Sequence, residues 1–147
     1  MIQKLFKILM VMIISIIMIF IIANFMFPVY IYLKTDPQKL YSTIDKANKI
    51  VITKNNVDSQ IIYTSTNIKD IKSFKQNLYL KKSIEWSFPA CRGSLGINLY
   101  HDNQRIARIG YLTDSHIREA SVDYIAIEHK DRLEKWFSDR NISIDSR

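Results

Sequence analysis

Hydrophobic and polar positions divide the chain into an apolar opening segment and a longer segment in which the two alternate. No charged residue lies between Lys7 and Lys34, and no acidic residue precedes Asp36. The core of the apolar segment, residues 8–27, holds 20 residues, of which thirteen are Ile, Leu, Val or Phe. A helix of this length spans roughly 30 Å, the thickness of the hydrocarbon core of a bilayer. The pattern therefore predicts a transmembrane helix over residues 8–27, with the lipid bilayer as its partner.

A cleaved signal peptide is the main alternative, because Lys4 and Lys7, within residues 1–7, resemble its basic start. The apolar run, however, exceeds the roughly 7–15 residues of a signal peptide, and no small-residue cleavage site follows it. A buried helix of a soluble protein is a second alternative. We expect an uncleaved signal-anchor that crosses the membrane once.

The chain leaves this helix through a juxtamembrane connection, residues 28–35. Pro28 is expected to end or kink the helix, because proline lacks the amide hydrogen that a helix interior uses. Tyr30 and Tyr32 suit the headgroup level, where the ring is in apolar surroundings and the hydroxyl is in water. The basic flanks are nearly balanced, but a short basic N-terminus usually stays inside. We therefore expect a cytoplasmic N-terminus and an extracytoplasmic domain at a cell membrane.

The remaining segment, residues 36–142, alternates between helical and strand periodicity. Start signals and apolar spacing predict a helix over residues 37–48, a second one capped by Asn67, and a third over residues 128–140. Alternation predicts strands over residues 50–54, 60–64, 84–88, 95–99, 105–112 and 116–121. This order predicts an α+β fold with helices on one face of an antiparallel sheet. Residues 143–147 are expected to form a frayed tail.

Positive charge is concentrated in the half of the domain that follows the apolar segment. The chain carries a net charge of +7; residues 34–82 hold ten lysines against four acidic residues, whereas residues 83–147 are nearly neutral. Anionic lipid attracts each well-placed lysine by about 1 kcal/mol. Candidate lysines for the membrane surface are Lys69, Lys72, Lys75, Lys81 and Lys82. A solvated surface is the alternative, and no nucleic-acid partner is expected, because the lysines are scattered and no nucleic-acid motif is present.

Candidate catalytic and metal-binding residues are few. The chain has one cysteine, Cys91, and three histidines, without the Cys and His spacing of metal sites. We therefore expect no metal and no cofactor, and a single cysteine excludes an intrachain disulfide. Cys91 is either a small buried side chain or an exposed thiol. With His116 it has the groups of a nucleophile and its base, but no motif links the two, so no catalytic residue is assigned.

The densest polar cluster of the C-terminal half is formed by His116, Arg118, Glu119 and Asp123. On a strand, His116 and Arg118 share one face and Glu119 takes the other. An ion pair between Arg118 and Asp123 is expected, and the alternative is a binding patch on Arg118 and His116. The candidate binding residues are Cys91, Arg92, His116, Arg118 and Asp123.

A set of short motifs lies between Trp86 and Phe137, roughly a third of the chain. They are Cys91-Arg-Gly93, a strand ending Leu99-Tyr100, Ile106-Ala107-x-Ile109-Gly110, His116-Ile117-Arg118, Asp123 and Trp136-Phe137. Together they resemble a small uncharacterised bacterial α+β domain, whose second cysteine and following tryptophan are absent here. The resemblance implies the fold and carries no activity.

These observations favour a single-pass, membrane-anchored and non-enzymatic protein whose α+β domain binds a protein partner or the membrane surface. One alternative is a membrane-tethered hydrolase or thiol enzyme that uses Cys91 and His116. Another is a domain that faces the cytoplasm and docks on anionic lipid through the five lysines.

Overall fold

The computed structural model of the chain describes residues 2–54, 60–82, 94–112, 116–119 and 123–144. The helices within these residues are α1 Ile2–Lys34, α2 Pro37–Lys46, α3 Ile68–Asn77 and α4 Lys130–Ser138. The strands within them are β1 Lys49–Lys54, β2 Ile61–Ser65, β3 Leu80–Lys81, β4 Leu95–His101, β5 Gln104–Leu112, β6 His116–Glu119 and β7 Asp123–Ile127. The strand predicted over residues 84–88 lies outside the described residues.

Helix α1 has 33 residues and is the one helix of the described chain that is long and apolar enough to cross a membrane. Its mean hydropathy reaches 2.9 over 18 residues, and that window is 0% buried. Its polar side chains bond to carbonyls of the helix itself, because Ser15 Oγ donates to Val11 O at 2.9 Å and Asn24 Nδ2 donates to Phe20 O at 2.8 Å. The helix therefore satisfies these donors without water.

The end of α1 differs from the prediction. Pro28 lies inside the helix, which continues to Lys34, so the expected connection over residues 28–35 is mostly helical. Proline removes one backbone hydrogen bond, but its fixed φ matches a helix, and the other amides still bond within the segment. Only Thr35 and Asp36 separate α1 from α2, and Thr35 is buried with its hydroxyl on Ile31 O at 2.8 Å.

The predicted starts of α2 and α3 are confirmed. The carboxylate of Asp36 accepts a hydrogen bond from Gln38 N at 3.0 Å, and the side chain of Asn67 accepts one from Lys69 N at 2.9 Å. These bonds satisfy backbone amides that have no partner inside the first turn of a helix. Local sequence therefore sets where both helices begin.

The seven described strands form one open antiparallel sheet in the order β2-β1-β4-β5-β6-β7-β3. The predicted antiparallel arrangement is confirmed by every pairing, from β1 with β2 to β3 with β7. Strands β3 and β7 were not predicted; Leu80 pairs with Ile127, and Lys81 pairs with Ala126. The order places β2 and β3 at the two edges of the sheet.

The three shorter helices cover one face of this sheet. Alternate strand residues, such as Ile52 and Ile97, join Leu40, Phe74 and Phe137 in one buried cluster, which confirms the predicted helix face. The predicted tail is partly packed. Ile142 is 4% exposed and its amide bonds to Phe137 O, and Ile144 packs against the core, while residues 145–147 lie outside the described part.

Candidate binding surfaces

The predicted polar cluster lies on the β6–β7 hairpin. His116 begins β6 at half-buried exposure and pairs with Leu112 of β5 and Ala126 of β7. Arg118 is exposed, whereas Ile117 and Glu119 are buried, so the predicted alternation along this strand is confirmed. His116 and Arg118 therefore occupy the face opposite the helices.

The expected ion pair between Arg118 and Asp123 stays a prediction. The register pairs Arg118 with Tyr124 and Glu119 with Asp123. Residues 118 and 123 are therefore diagonal neighbours on the two strands rather than a directly opposite pair. Cys91 and Arg92 lie outside the described residues, so their distance from His116 stays untested. In the described ranges, no group of three or more His, Cys, Asp or Glu side chains is placed to hold a metal ion.

The five candidate lysines have different surroundings. Lys75 Nζ contacts both oxygens of Asp45 at 2.6 and 2.7 Å and lies 5.7 Å from the ring centroid of Tyr41. Lys69 lies in the first turn of α3, at the end opposite the α3–β3 connection. The carboxylate of Asp45 therefore compensates the charge of Lys75. Lys72 lies in the middle of α3, while Lys81 and Lys82 follow its C-terminal end.

Lys82 lies beyond the C-terminal end of α3, next to α1. Its ammonium is 4.6 Å from the ring centroid of Tyr32, within the range of a cation–π contact. Tyr41 OH holds the preceding segment, because it donates to Leu78 O at 2.7 Å and accepts from Leu80 N at 2.9 Å. The segment before Lys82 is thus tied to α2, close to the junction of α1 and α2.

The outer edge of β2 carries exposed apolar side chains. Outside α1, the large apolar side chains that are exposed in the described residues are Ile61, Ile62, Ile68 and Tyr79. Ile61 is 60% exposed and Ile62 is 42% exposed, although both belong to a strand of the sheet. The register shifts here, so two residues of β2 oppose one of β1, an arrangement that redirects side chains.

A polar network fixes β2 against two helices. Arg140 Nη2 donates to Asp70 Oδ1 at 2.7 Å, while Tyr63 OH and Ser65 Oγ donate to Asp70 Oδ2 at 3.0 and 2.8 Å. Arg140 also lies 4.0 Å from the ring centroid of Trp136 and donates to the carbonyl of that residue. The network joins α3, the end of α4 and the edge strand β2, and it holds β2 in place against the two helices.

Asp70 is charged in this network. Its pKa lies below the ordinary value, first because Arg140 donates to the carboxylate and then because Ser65 does. Burial opposes the shift, but several donors on one carboxylate favour its charged form. Sequence analysis missed the network, because Asp70 and Arg140 are 70 residues apart and each has the pattern of a solvated helix residue.

Two open depressions of similar size lie on the surface of the described residues. One, of about 590 Å³, is lined by Lys130, Glu134, Ser138 and residues 141–144. The other, of about 450 Å³, lies between α2 and α3 and is lined by Tyr41, Asp45, Lys72, Lys75, Gln76, Leu78 and Tyr79. His116 lines neither of them.

Comparisons of the chain with protein-family models, with curated proteins and with solved structures find no significant match. The structure itself defines the class: an α+β protein with a long apolar N-terminal helix and an open antiparallel sheet of seven described strands.

We predict that Asp70→Asn destabilises the full chain in detergent micelles by about 1–3 kcal/mol at neutral pH, because Arg140 loses a charged acceptor. The lowered pKa means that this stabilisation is complete above the unfolded-state pKa of a carboxyl and is lost as the pH falls through the folded-state pKa. Urea unfolding followed by tryptophan fluorescence measures the difference between variant and wild type at each pH.

Asp45→Asn is the matched control. It removes the partner of Lys75. The side chain of Asp45 is 58% exposed, so we expect a loss below about 1 kcal/mol. A difference between Asp70→Asn and wild type that stayed constant down to pH 3, or equal losses for both variants at neutral pH, would contradict the charged network.

Proposed function

We propose that this protein is a single-pass membrane protein whose extracytoplasmic α+β domain binds a protein partner along the outer edge of β2 and does not catalyse a reaction. The exposed pair Ile61 and Ile62 on an edge strand is the observation that carries the binding role. Helix α1 supports the membrane location.

The support from α1 is its length, composition and exposure. It holds the 20-residue apolar core over residues 8–27, and the folded domain does not bury that core. Insertion of its thirteen Ile, Leu, Val and Phe residues is favourable by roughly 4–8 kcal/mol. The N-terminal flank carries Lys4 and Lys7, and a short basic N-terminus of this kind supports a cytoplasmic N-terminus with the domain on the other side.

The outer edge of β2 and the residues of this strand support the proposed binding role. Strand β2 is the first in the sheet order, so no described strand occupies its outer edge. Edge strands of soluble proteins are usually protected by lysine, proline, short length or a β-bulge, and of these β2 has the bulge at Ile61 and Ile62. The five residues of β2, Ile-Ile-Tyr-Thr-Ser, include neither lysine nor proline.

A partner segment in extended conformation suits this edge. Backbone groups of an added strand bond to an open edge, and side chains at alternate positions contribute specificity. Exposed isoleucines at positions 61 and 62 favour a partner with apolar side chains at these contacts. The network on Asp70 holds Tyr63 and Ser65, so the edge is ordered before a partner arrives.

A topology reporter tests the orientation. We predict that an alkaline phosphatase domain fused to the C-terminus is active in intact cells, because this enzyme forms its disulfides only outside the cytoplasm. A β-galactosidase fusion at the same position is the matched control, and we predict that it is inactive. The opposite pattern would place the domain in the cytoplasm.

Site-specific photo-crosslinking tests the partner edge. We predict that a photoreactive residue at position 62 of the full chain in native membranes gives a protein adduct of one discrete mass. The same residue at Gln76, an exposed position of α3, is the control and should give none. Ile61→Lys should abolish the adduct at position 62 and change the free energy of unfolding by no more than about 0.5 kcal/mol.

Lipid adducts alone at position 62, or equal protein adducts at positions 62 and 76, would count against the proposed edge. Survival of the adduct in Ile61→Lys would also contradict it, because a buried apolar contact cannot accept an ammonium group without cost.

A further inference from the structure

The depth of Tyr32 follows from the continuity of α1. The helix continues without a break from residue 27 to Lys34, so Tyr32 lies five residues, roughly 7.5 Å, beyond Phe27. The polar headgroup region adds about 5–8 Å on each side of the hydrocarbon core. With residues 8–27 in the hydrocarbon, Tyr32 lies in the headgroup layer.

Lys82 shares this depth. Its ammonium lies 4.6 Å from the ring centroid of Tyr32, and both Lys81 and Lys82 are exposed. A cation–π contact leaves the charge of the ammonium in place, so Lys82 still donates hydrogen bonds to an anion. Lys34 closes α1 two residues after Tyr32 and adds a third positive charge at this level.

The position of Lys82 is set by the fold. Leu80 and Lys81 pair with Ile127 and Ala126 of β7, and the hydroxyl of Tyr41 bonds to the backbone of residues 78 and 80. This ties the segment to the sheet and to α2, which starts only two residues after α1 ends. The domain therefore presents Lys81 and Lys82 on a fixed element.

Lys69 is separated from this surface by the length of α3. Helix α3 leads into the β3 segment at its C-terminal end, and Lys69 lies in its first turn, roughly 12 Å away along the helix. This exceeds the screening length of about 8 Å at physiological ionic strength. The ammonium of Lys75 is paired with Asp45. Lys69 therefore serves as an internal control for overall charge.

We infer that Lys81 and Lys82 bind the phosphate of an anionic phospholipid in the leaflet that surrounds the end of α1. The ammonium of Lys82 lies beside the end of α1, Lys81 is the exposed residue that precedes it, and a phosphodiester with a single negative charge suits such donors. The lipid is present at high local concentration around α1. This inference rests on the proposed membrane anchor and is independent of the proposed partner edge. It assigns a specific lipid contact to two of the five candidate lysines.

Spin-labelled lipids test this contact in the full chain. The protein is reconstituted in phosphatidylcholine vesicles that contain a trace of spin-labelled phosphatidylglycerol or spin-labelled phosphatidylcholine. Electron paramagnetic resonance then gives the ratio of their association constants with the protein. We expect the wild-type ratio to favour phosphatidylglycerol, and each well-placed lysine to contribute about fivefold.

The double variant Lys81→Gln with Lys82→Gln should lower this ratio at least several-fold. The matched single variants are Lys82→Gln, which should lower the ratio about fivefold, and the control Lys69→Gln, which removes the same charge and should leave the ratio unchanged. A wild-type ratio near one, a ratio that survives loss of Lys81 and Lys82, or equal losses in the two single variants would each overturn the inference. Wild-type protein that an alkaline wash removes from the vesicles would instead refute the anchor itself.

Discussion

The contact between α1 and its solvent is the constraint on which the rest of the molecule depends. The large apolar side chains that α1 exposes between Phe6 and Leu33 are 44–71% exposed, and the folded domain leaves them uncovered. In water such a surface is far larger than the apolar patches that monomeric proteins expose. In lipid it is favourable, and all of the backbone hydrogen bonds of a helix lie within the segment. We therefore treat the bilayer as the solvent of α1.

Insertion of α1 in a bilayer would also determine where the domain lies. Helix α1 continues to Lys34 and only two residues separate it from α2, so the proposed anchor would hold the domain directly at the membrane surface. The sheet order then separates two proposed surfaces. Strand β3, before Lys82, is one edge, and β2 is the other, six strand spacings or roughly 29 Å away along the sheet. Lipid contact at one edge thus leaves the other edge accessible to a protein.

Sequence patterns predicted the parts of this architecture that depend on local chemistry. Asp36 and Asn67 cap their helices because a side-chain oxygen two residues before an amide satisfies it wherever the chain folds. The central strands alternate in sequence because one face packs into the hydrophobic cluster, although in the structure β4 is buried on both faces from Leu95 to Leu99. Pro28 does not end α1, because the other amides of this segment have no better partner than the helix, and the expected alternative of a kink stays a prediction.

Local sequence patterns did not predict contacts between residues that lie far apart in the chain. Strand β3 has two residues and exists only through its pairing with β7. The bond from Arg140 to Asp70 and the contact of Lys82 with Tyr32 join residues 70 and 50 positions apart, and neither partner has a distinctive sequence context. The five lysines were grouped by sequence proximity, whereas the geometry of α3 divides them. The candidate residues Cys91 and Arg92 lie outside the described part of the chain, so sequence remains their sole basis.

The most direct measurement of the central claim is alkaline extraction of membranes from cells that express the full chain at natural levels, combined with the intact mass of the protein. If α1 is an uncleaved anchor, the protein stays in the membrane pellet, and its mass includes residues 1–27. Protein in the supernatant, or a mature N-terminus beyond Pro28, would contradict the account.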